Sequence, residues 1–262
     1  MCGIAGYSLS ASSSVEKTLA AQALLAGIAE RGADAVGYAY AGPSLHVQIH
    51  KQRSGASKFL DQLLLPANAT ETLLHVRDYT KGHPRIDANN HPIRHGSVVG
   101  VHNGIIFNDD ELMEQHGFER AEPQMTVDSE AIFALAEGTD GSAKALEQLR
   151  GSMATAWLDE RRPRTLFLAR GVGRPLWIGE GRDELLFAST KAALEVAERF
   201  LCLKLRKREV SEGTLAVVAD GDVLEKLRFK PDRNFEESKL PAVRAPQEGA
   251  FCLQRLSALA SL

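Results

Sequence analysis

The sequence predicts an α+β protein in which sheets are covered by helices. Strand-like segments lie toward both ends of the chain, and helical periodicity is grouped between and after them. The second half runs as short apolar segments separated by polar turns. One sheet and two sheets fit this pattern equally well. A chain of 262 residues supplies one large domain or two small ones, with a core that stands without disulfide staples.

The elements follow in order. Residues 2–9 read as a short buried strand carrying Ile4, Ala5, Tyr7 and Leu9. Ser13 and Glu16 have the spacing of a capping box. Leu19, Ala23, Leu24 and Ile28 then recur at helical spacing, and Gly32 fits a helix end. Segments 35–41 and 45–50 alternate like paired strands around a Gly42-Pro43 turn. Ser57 to Leu65 suits a short helix and Leu73 to Arg77 a buried strand. Residues 78–96 are loop-like, with Gly82, Pro84, Asn89, Asn90, Pro92 and Gly96. Loops this long in a compact domain are usually functional or mobile. Ser97 to His102 is a strand; 109–116, 128–137 and 142–150 are helices.

Beyond residue 150, strands are predicted at 153–158, 165–169, 175–178 and 185–189, then a helix at 191–200. Segments 215–219 and 223–229 flank Asp220-Gly221, a strong hairpin turn signal. Residues 1–230 are expected to form the domain, and 231–262 a tail, extended and then a short docking helix over 251–262.

Composition narrows the function classes. A 44% hydrophobic and 25% charged chain is ordinary for a globular protein. A net charge of −3 with no long basic run favours neither nucleic acid nor an anionic membrane. Cys2, Cys202 and Cys252 are too sparse, and odd in number, for a disulfide framework. No apolar run spans a bilayer and no secretory signal opens the chain, so the expected location is the cytoplasm. The histidines at 75, 83, 91, 95 and 102 lack metal-site spacing, so neither metal nor cofactor is expected.

Cys2 is the residue to explain. Removal of Met1 would give one residue both a thiol and a free α-amine, with ordinary pKa values near ~8.5 and ~7.7–8.0. That is a nucleophile with its own base. Alone, Cys2 reads better as a small apolar residue opening a buried strand. Other clusters follow. Arg31-Gly32-Ala33-Asp34 lies between a helix and a strand. Arg77 ends a hydrophobic strand, where a guanidinium can clamp a carboxylate. His102-Asn103-Gly104 is either a turn or an oxyanion hole made of a side-chain amide and a backbone N–H. Asp128-Ser129-Glu130 opens a helix, and a buried aspartate there can hold an ammonium.

Taken in order, these motifs resemble the class II glutamine amidotransferases, which are N-terminal-nucleophile hydrolases. The resemblance extends through Leu168–Leu176 and Phe187–Leu194 and covers roughly residues 2–229. It implies a four-layer αββα sandwich. It also implies roles: Cys2 as nucleophile, Asn103 and Gly104 as oxyanion hole, and Arg31 as a supporting catalytic residue. Arg77, Thr80, His102 and Asp128 are implied to bind L-glutamine, Arg77 at the α-carboxylate and Asp128 at the α-ammonium. Asp78-Tyr79 stands where one branch of the family has tryptophan and a small residue, and Lys81 where that branch has histidine.

The expected function is hydrolysis of the glutamine side-chain amide to glutamate and ammonia through a Cys2 γ-glutamyl thioester. About thirty residues follow the matched region, so an ammonia-accepting synthase subunit is expected in trans. A homo-oligomer is left open. The alternatives are an amidase for another γ-glutamyl or amide substrate, and a non-catalytic glutamine-binding regulatory subunit.

Overall fold

The computed structural model describes residues 1–41, 46–237 and 241–259. The first strands are β1 (Gly3–Leu9), β2 (Ala35–Ala41), β3 (Val47–Gln52), β4 (Glu71–Arg77), β5 (Ile93–His95) and β6 (Val98–Ile106). The later ones are β7 (Gly151–Asp159), β8 (Thr165–Arg170), β9 (Trp177–Glu180), β10 (Glu184–Ala188), β11 (Arg206–Glu209), β12 (Thr214–Ala219) and β13 (Asp222–Arg228). The α-helices are α1 (Lys17–Ile28), α2 (Asp109–His116), α3 (Glu130–Gly138), α4 (Lys191–Leu201) and α5 (Pro246–Leu259).

The strands form two sheets, ordered β11-β9-β10-β1-β4-β2-β3 and β13-β12-β8-β7-β6-β5. Ile4, Leu73, Val101, Ala154 and Leu168 meet in the layer between the sheets. On the outer face of the first sheet, Ala5, Leu74 and Val76 pack against Leu24 and Ile28 of α1, Leu194 of α4 and Leu256 of α5. On the outer face of the second, Trp157 and Phe167 pack against Ile132 and Leu135 of α3. The result is the four-layer αββα arrangement. Every residue of β1 and β7 is buried, so these strands are covered on both faces. Each large apolar side chain so buried contributes ~1.5–3 kcal/mol.

Several local expectations are corrected. Glu16, not Ser13, caps α1: its carboxylate accepts from Thr18 N and Leu19 N. Ser13 Oγ instead takes the amide of Val15 at 3.3 Å. Gly32 is extended, with φ −173°, and follows a 3₁₀ turn at Ala29–Arg31. The Gly42-Pro43 turn lies outside the described residues. Residues 57–65 form two 3₁₀ turns, Ala56–Lys58 and Leu60–Gln62, not one helix; Pro66 disfavours the α conformation just before it. Ala143–Gln148 is also 3₁₀. Its buried Ala143, Leu146 and Leu149 repeat every third residue, which suits that tighter helix.

Three further features were not anticipated. The 78–96 loop contains β5, paired with β6. β11 was missed because Arg206-Lys207-Arg208-Glu209 has no apolar residue. It is the outermost strand of the first sheet, where charge discourages further pairing. Helix α5 begins earlier than residue 251, at Pro246, a residue suited to a first turn.

Candidate active site

β1 runs antiparallel to β4, with Gly3 opposite Val76 and Ile4 opposite His75. Cys2 therefore precedes β1 at the level of Arg77, where β4 ends. The Cys2 thiol donates to the carbonyl of Asp78 at 3.4 Å. Burial pushes the thiol pKa up, while the Asp78 hydrogen bond and the Arg77 charge pull it back. The α-ammonium of Met1 pairs with the Asp78 carboxylate.

The Arg31-to-Asp34 cluster braces this end. Arg31 Nε donates to the Cys2 carbonyl at 2.9 Å, while its Nη2 is buried without a protein partner. A Cβ on Gly32 would lie 2.4 Å from the Arg77 carbonyl carbon and oxygen, so only glycine allows the two segments to touch. Asp34 N donates to Arg77 O, and the Asp34 carboxylate accepts from Tyr79 N, both at 3.0 Å.

Arg77 is buried and its fork is engaged. Nη1 donates to the Asn89 carbonyl and to Asn90 Oδ1, the latter at 2.8 Å. Nη2 donates to the carbonyls of Lys81, at 2.9 Å, and of Gly82. All four Nη hydrogens thus hold residues 81–90, rather than standing free for a substrate carboxylate. Lys81 ties the same loop to the start of α2 through Asp109 at 2.7 Å and Asp110 at 2.9 Å. Thr80 is exposed on this loop.

Asn103-Gly104 is not a turn; both residues lie inside β6, opposite Ala154 and Met153. Gly104 has φ +152°, and a Cβ there would sit 1.9 Å from the Ser152 carbonyl oxygen. His75 Nε2 donates to the His102 carbonyl at 3.1 Å. That bond fixes β6 against β4 across the inter-sheet layer, one residue before Asn103 and at the His75 that pairs with Ile4 of β1. The Asn103 side chain is buried, and neither its Nδ2 nor its Oδ1 has a hydrogen-bond partner among the described residues. Buried amides are nearly always paired, so both polar atoms of this one stand available to a partner.

The His102 ring faces Ser129 Oγ at 2.9 Å and the Ser152 carbonyl at 3.3 Å, joining β6 to the start of α3. Burial drives the pKa values of His102 and His75 down to about 3, so both rings are neutral. Asp128 Oδ2 accepts from Ile106 N at 2.7 Å. Burial raises its pKa to about 6, against the pull of that bond. Its charge acts on Arg77, as does that of Cys2. The fold therefore gathers Cys2, Arg31, Arg77, Asn103, Gly104 and Asp128 at one end of the sandwich. His102 stands behind them and Thr80 at the rim.

Residues 81–196 match the glutamine amidotransferase domain family. The glutamine–fructose-6-phosphate aminotransferase (isomerizing) of Shigella flexneri is 34% identical over 218 residues, 78% of this chain and 34% of that protein. The chain carries a glutamine amidotransferase domain. The Haemophilus ducreyi protein of the same name is also 34% identical, over 84% of this chain and 36% of its own length. The chain thus spans about a third of the curated relatives it matches. Among solved structures, glutamine phosphoribosylpyrophosphate amidotransferase from B. subtilis superposes with TM-score 0.67 at 20% identity, over 87% of this chain and 49% of that one. A glutamine aminotransferase class-II domain protein from Silicibacter pomeroyi gives 0.54 at 15% identity, over 88% and 100%. These two likenesses bear on the fold, and they place the amidotransferase domain in the αββα class.

Sequence reasoning singled out Asp78 only as a departure and did not pick out Arg244. Arg244 Nε lies 3.1 Å from Asp78 Oδ2. No local signal exposes an arginine 166 positions away in a polar tail. A separate cavity of about 370 Å³, lined by Ser10, Lys17, Glu71 and Arg164 among others, lies at the far end of β1 and holds none of the expected site residues.

Proposed function

We propose that this amidotransferase domain hydrolyses the side-chain amide of L-glutamine, with Cys2 as an N-terminal nucleophile. The observation that carries the reading is the unpaired, buried Asn103 amide in β6, next to the His102 carbonyl that His75 of β4 holds. Such an amide can donate to an oxygen that develops negative charge.

The reaction requires removal of Met1. The Cys2 thiol passes its proton to the Cys2 α-amine, and sulfur forms a bond to the carboxamide carbon. The carbonyl π electrons move onto oxygen, which Asn103 Nδ2 and the Gly104 N–H receive. The ammonium proton passes to the amide nitrogen, the C–N bond breaks and ammonia leaves. Water then adds to the thioester, and its collapse releases glutamate and restores the thiol.

Arg31 holds the Cys2 carbonyl and so fixes the nucleophile's backbone. Asp128, ionised above pH ~6, takes the substrate α-ammonium. Arg77 supplies the positive charge for the α-carboxylate. Its Nη groups meet the substrate only when the Lys81, Gly82 and Asn89 carbonyls give way, so glutamine binding involves movement of loop 81–90. Thr80 would join that loop over the substrate, and His102 would act by holding β6 to α3. The ammonia would pass to a synthase or synthetase acceptor in trans.

The test measures ammonia release from L-glutamine by the purified protein, with intact mass before and after an electrophilic glutamine analogue. Mature protein lacking Met1 should release ammonia and gain one adduct at Cys2. Cys2→Ala should lose both, and Cys2→Ser should keep a trace of turnover. Wild-type rates from Cys2→Ala would end this reading.

A further inference from the structure

We propose that Arg244 is a positioning residue for the Cys2 site, acting from the C-terminal segment through the carboxylate of Asp78. The inference rests on the reading of Cys2 as an N-terminal nucleophile.

The segment carrying Arg244 is docked, not loose. Its amide and that of Ala245 both donate to the Glu30 carbonyl, at 2.9 and 2.8 Å. The next residue of that turn, Arg31, holds the Cys2 carbonyl. Behind Arg244, the Glu248 carboxylate takes the Ser57 amide at 2.8 Å and its hydroxyl at 3.0 Å. Arg255 pairs with Asp61 at 2.7 Å. Cys252 and Leu256 are fully buried with α1. The Arg244 side chain is thus launched from a fixed point, two residues before α5.

What it reaches is the residue in contact with the chain start. Arg244 Nε is 3.1 Å from Asp78 Oδ2. The same oxygen accepts from the Met1 ammonium, and the Asp78 carbonyl accepts from the Cys2 thiol. Asp78 therefore touches both ends of the first dipeptide, and Arg244 holds Asp78.

This matters for a base that is an α-amine. The charged groups around Cys2 are Arg31 from the turn after α1, Arg77 from β4 and Asp78 from the loop, with Arg244 from the C-terminal segment against Asp78. Glu30 faces Arg31. Asp78 is the carboxylate that pairs with the amine at the chain start, and Arg244 offsets its charge. Without Arg244, Asp78 favours the ammonium form, so less free base is present at neutral pH. Its freed side chain also loosens the Cys2 contact.

The experiment compares wild type, Arg244→Ala, Arg244→Lys, Asp78→Asn and Cys2→Ala, all lacking Met1. It reads glutamine-dependent ammonia release against pH, and the pH dependence of Cys2 alkylation by iodoacetamide, resolved from Cys202 and Cys252 by peptide mass. Arg244→Ala should move the acidic limb of kcat/KM up by roughly 0.5 unit and lower kcat at pH 7 about 2- to 5-fold, with KM unchanged. Asp78→Asn should move the limb down, and Arg244→Lys should restore it. An unshifted limb in Arg244→Ala, beside an active wild type and an inactive Cys2→Ala, overturns the role of Arg244 alone. If neither wild type nor Cys2→Ala releases ammonia, the functional reading fails. The alkylation profile then decides, and identical profiles in wild type and Arg244→Ala overturn the positioning role too.

Discussion

Replacing Asn103 by leucine separates what this residue does for the fold from what it does for the reaction. The two side chains are close in size, and the site is buried in β6. The native amide has no protein partner on either atom, and an unmatched buried polar group costs ~1–3 kcal/mol. Leucine removes that cost, while its different branching returns up to ~1.5 kcal/mol. The net expectation is a gain of about 1 kcal/mol, or ~2–4 °C in Tm for a chain of this size. Turnover should move the other way. Loss of one oxyanion donor lowers kcat by ~10²–10³, about 2.7–4 kcal/mol of transition-state stabilisation. Differential scanning calorimetry and steady-state ammonia release on the same preparation read the two effects. An Asn103→Leu protein that melts several degrees lower and keeps wild-type kcat would refute both halves of the reasoning.

The ionisable groups give two further expectations. Asp128 must be ionised to hold an ammonium, and its pKa is raised to about 6. KM for glutamine should therefore rise as pH falls below 6, whereas Asp128→Asn should show a KM roughly 10- to 100-fold higher that no longer responds in this range. A variant with wild-type KM at pH 7 would remove Asp128 from the ammonium site. Acid should also unfold the protein early. His75 and His102 titrate at about 3, and His91 well below its ordinary value, because burial penalises their charged forms. The unfolded chain takes those protons near pH ~6.5, so their contribution is present above that pH and lost below it. Between pH 7 and 5, His75 and His102 together lose roughly 4 kcal/mol, and His91 adds in the same direction. Asp128 has a raised pKa, so its stabilising contribution grows as pH falls through 6, returning roughly 1 kcal/mol over the same interval. The net loss of about 3 kcal/mol is a large share of a typical ~5–15 kcal/mol, and urea midpoints at pH 7 and 5 would expose it. Equal midpoints would sink the assignment.

The regular elements were legible where one residue type repeats at one period. β4, α2 and the Asp220-Gly221 hairpin fall close to their expected places, the last because both turn residues adopt positive φ, 51° and 81°. Legibility failed where a neighbour decides the local conformation. Ser13-to-Glu16 spacing suits a capping box, yet Glu16 itself covers the first amides of α1. Asn-Gly is a turn pair in isolation, and here it stays inside a strand because β7 supplies partners along its whole length.

The candidate site divides in the same way. The order Cys2, Arg31-x-x-Asp34, Arg77, His102-Asn103-Gly104 and Asp128 by itself determined the family and the residue types that the chemistry needs, since each type has few other uses in that sequence of spacings. What those residues touch was settled by the tertiary structure alone. Arg77 spends its fork on carbonyls of loop 81–90, His102 faces away toward Ser129, and Arg244 returns from the far end of the chain to Asp78. Hydrogen-bond partners are set by which backbones pack together, and that packing joins residues 27, 77 or 166 positions apart. No local pattern of sequence records such distances. The unpaired amide of Asn103 belongs to the same class: the sequence names the residue, and only the fold leaves it without a partner.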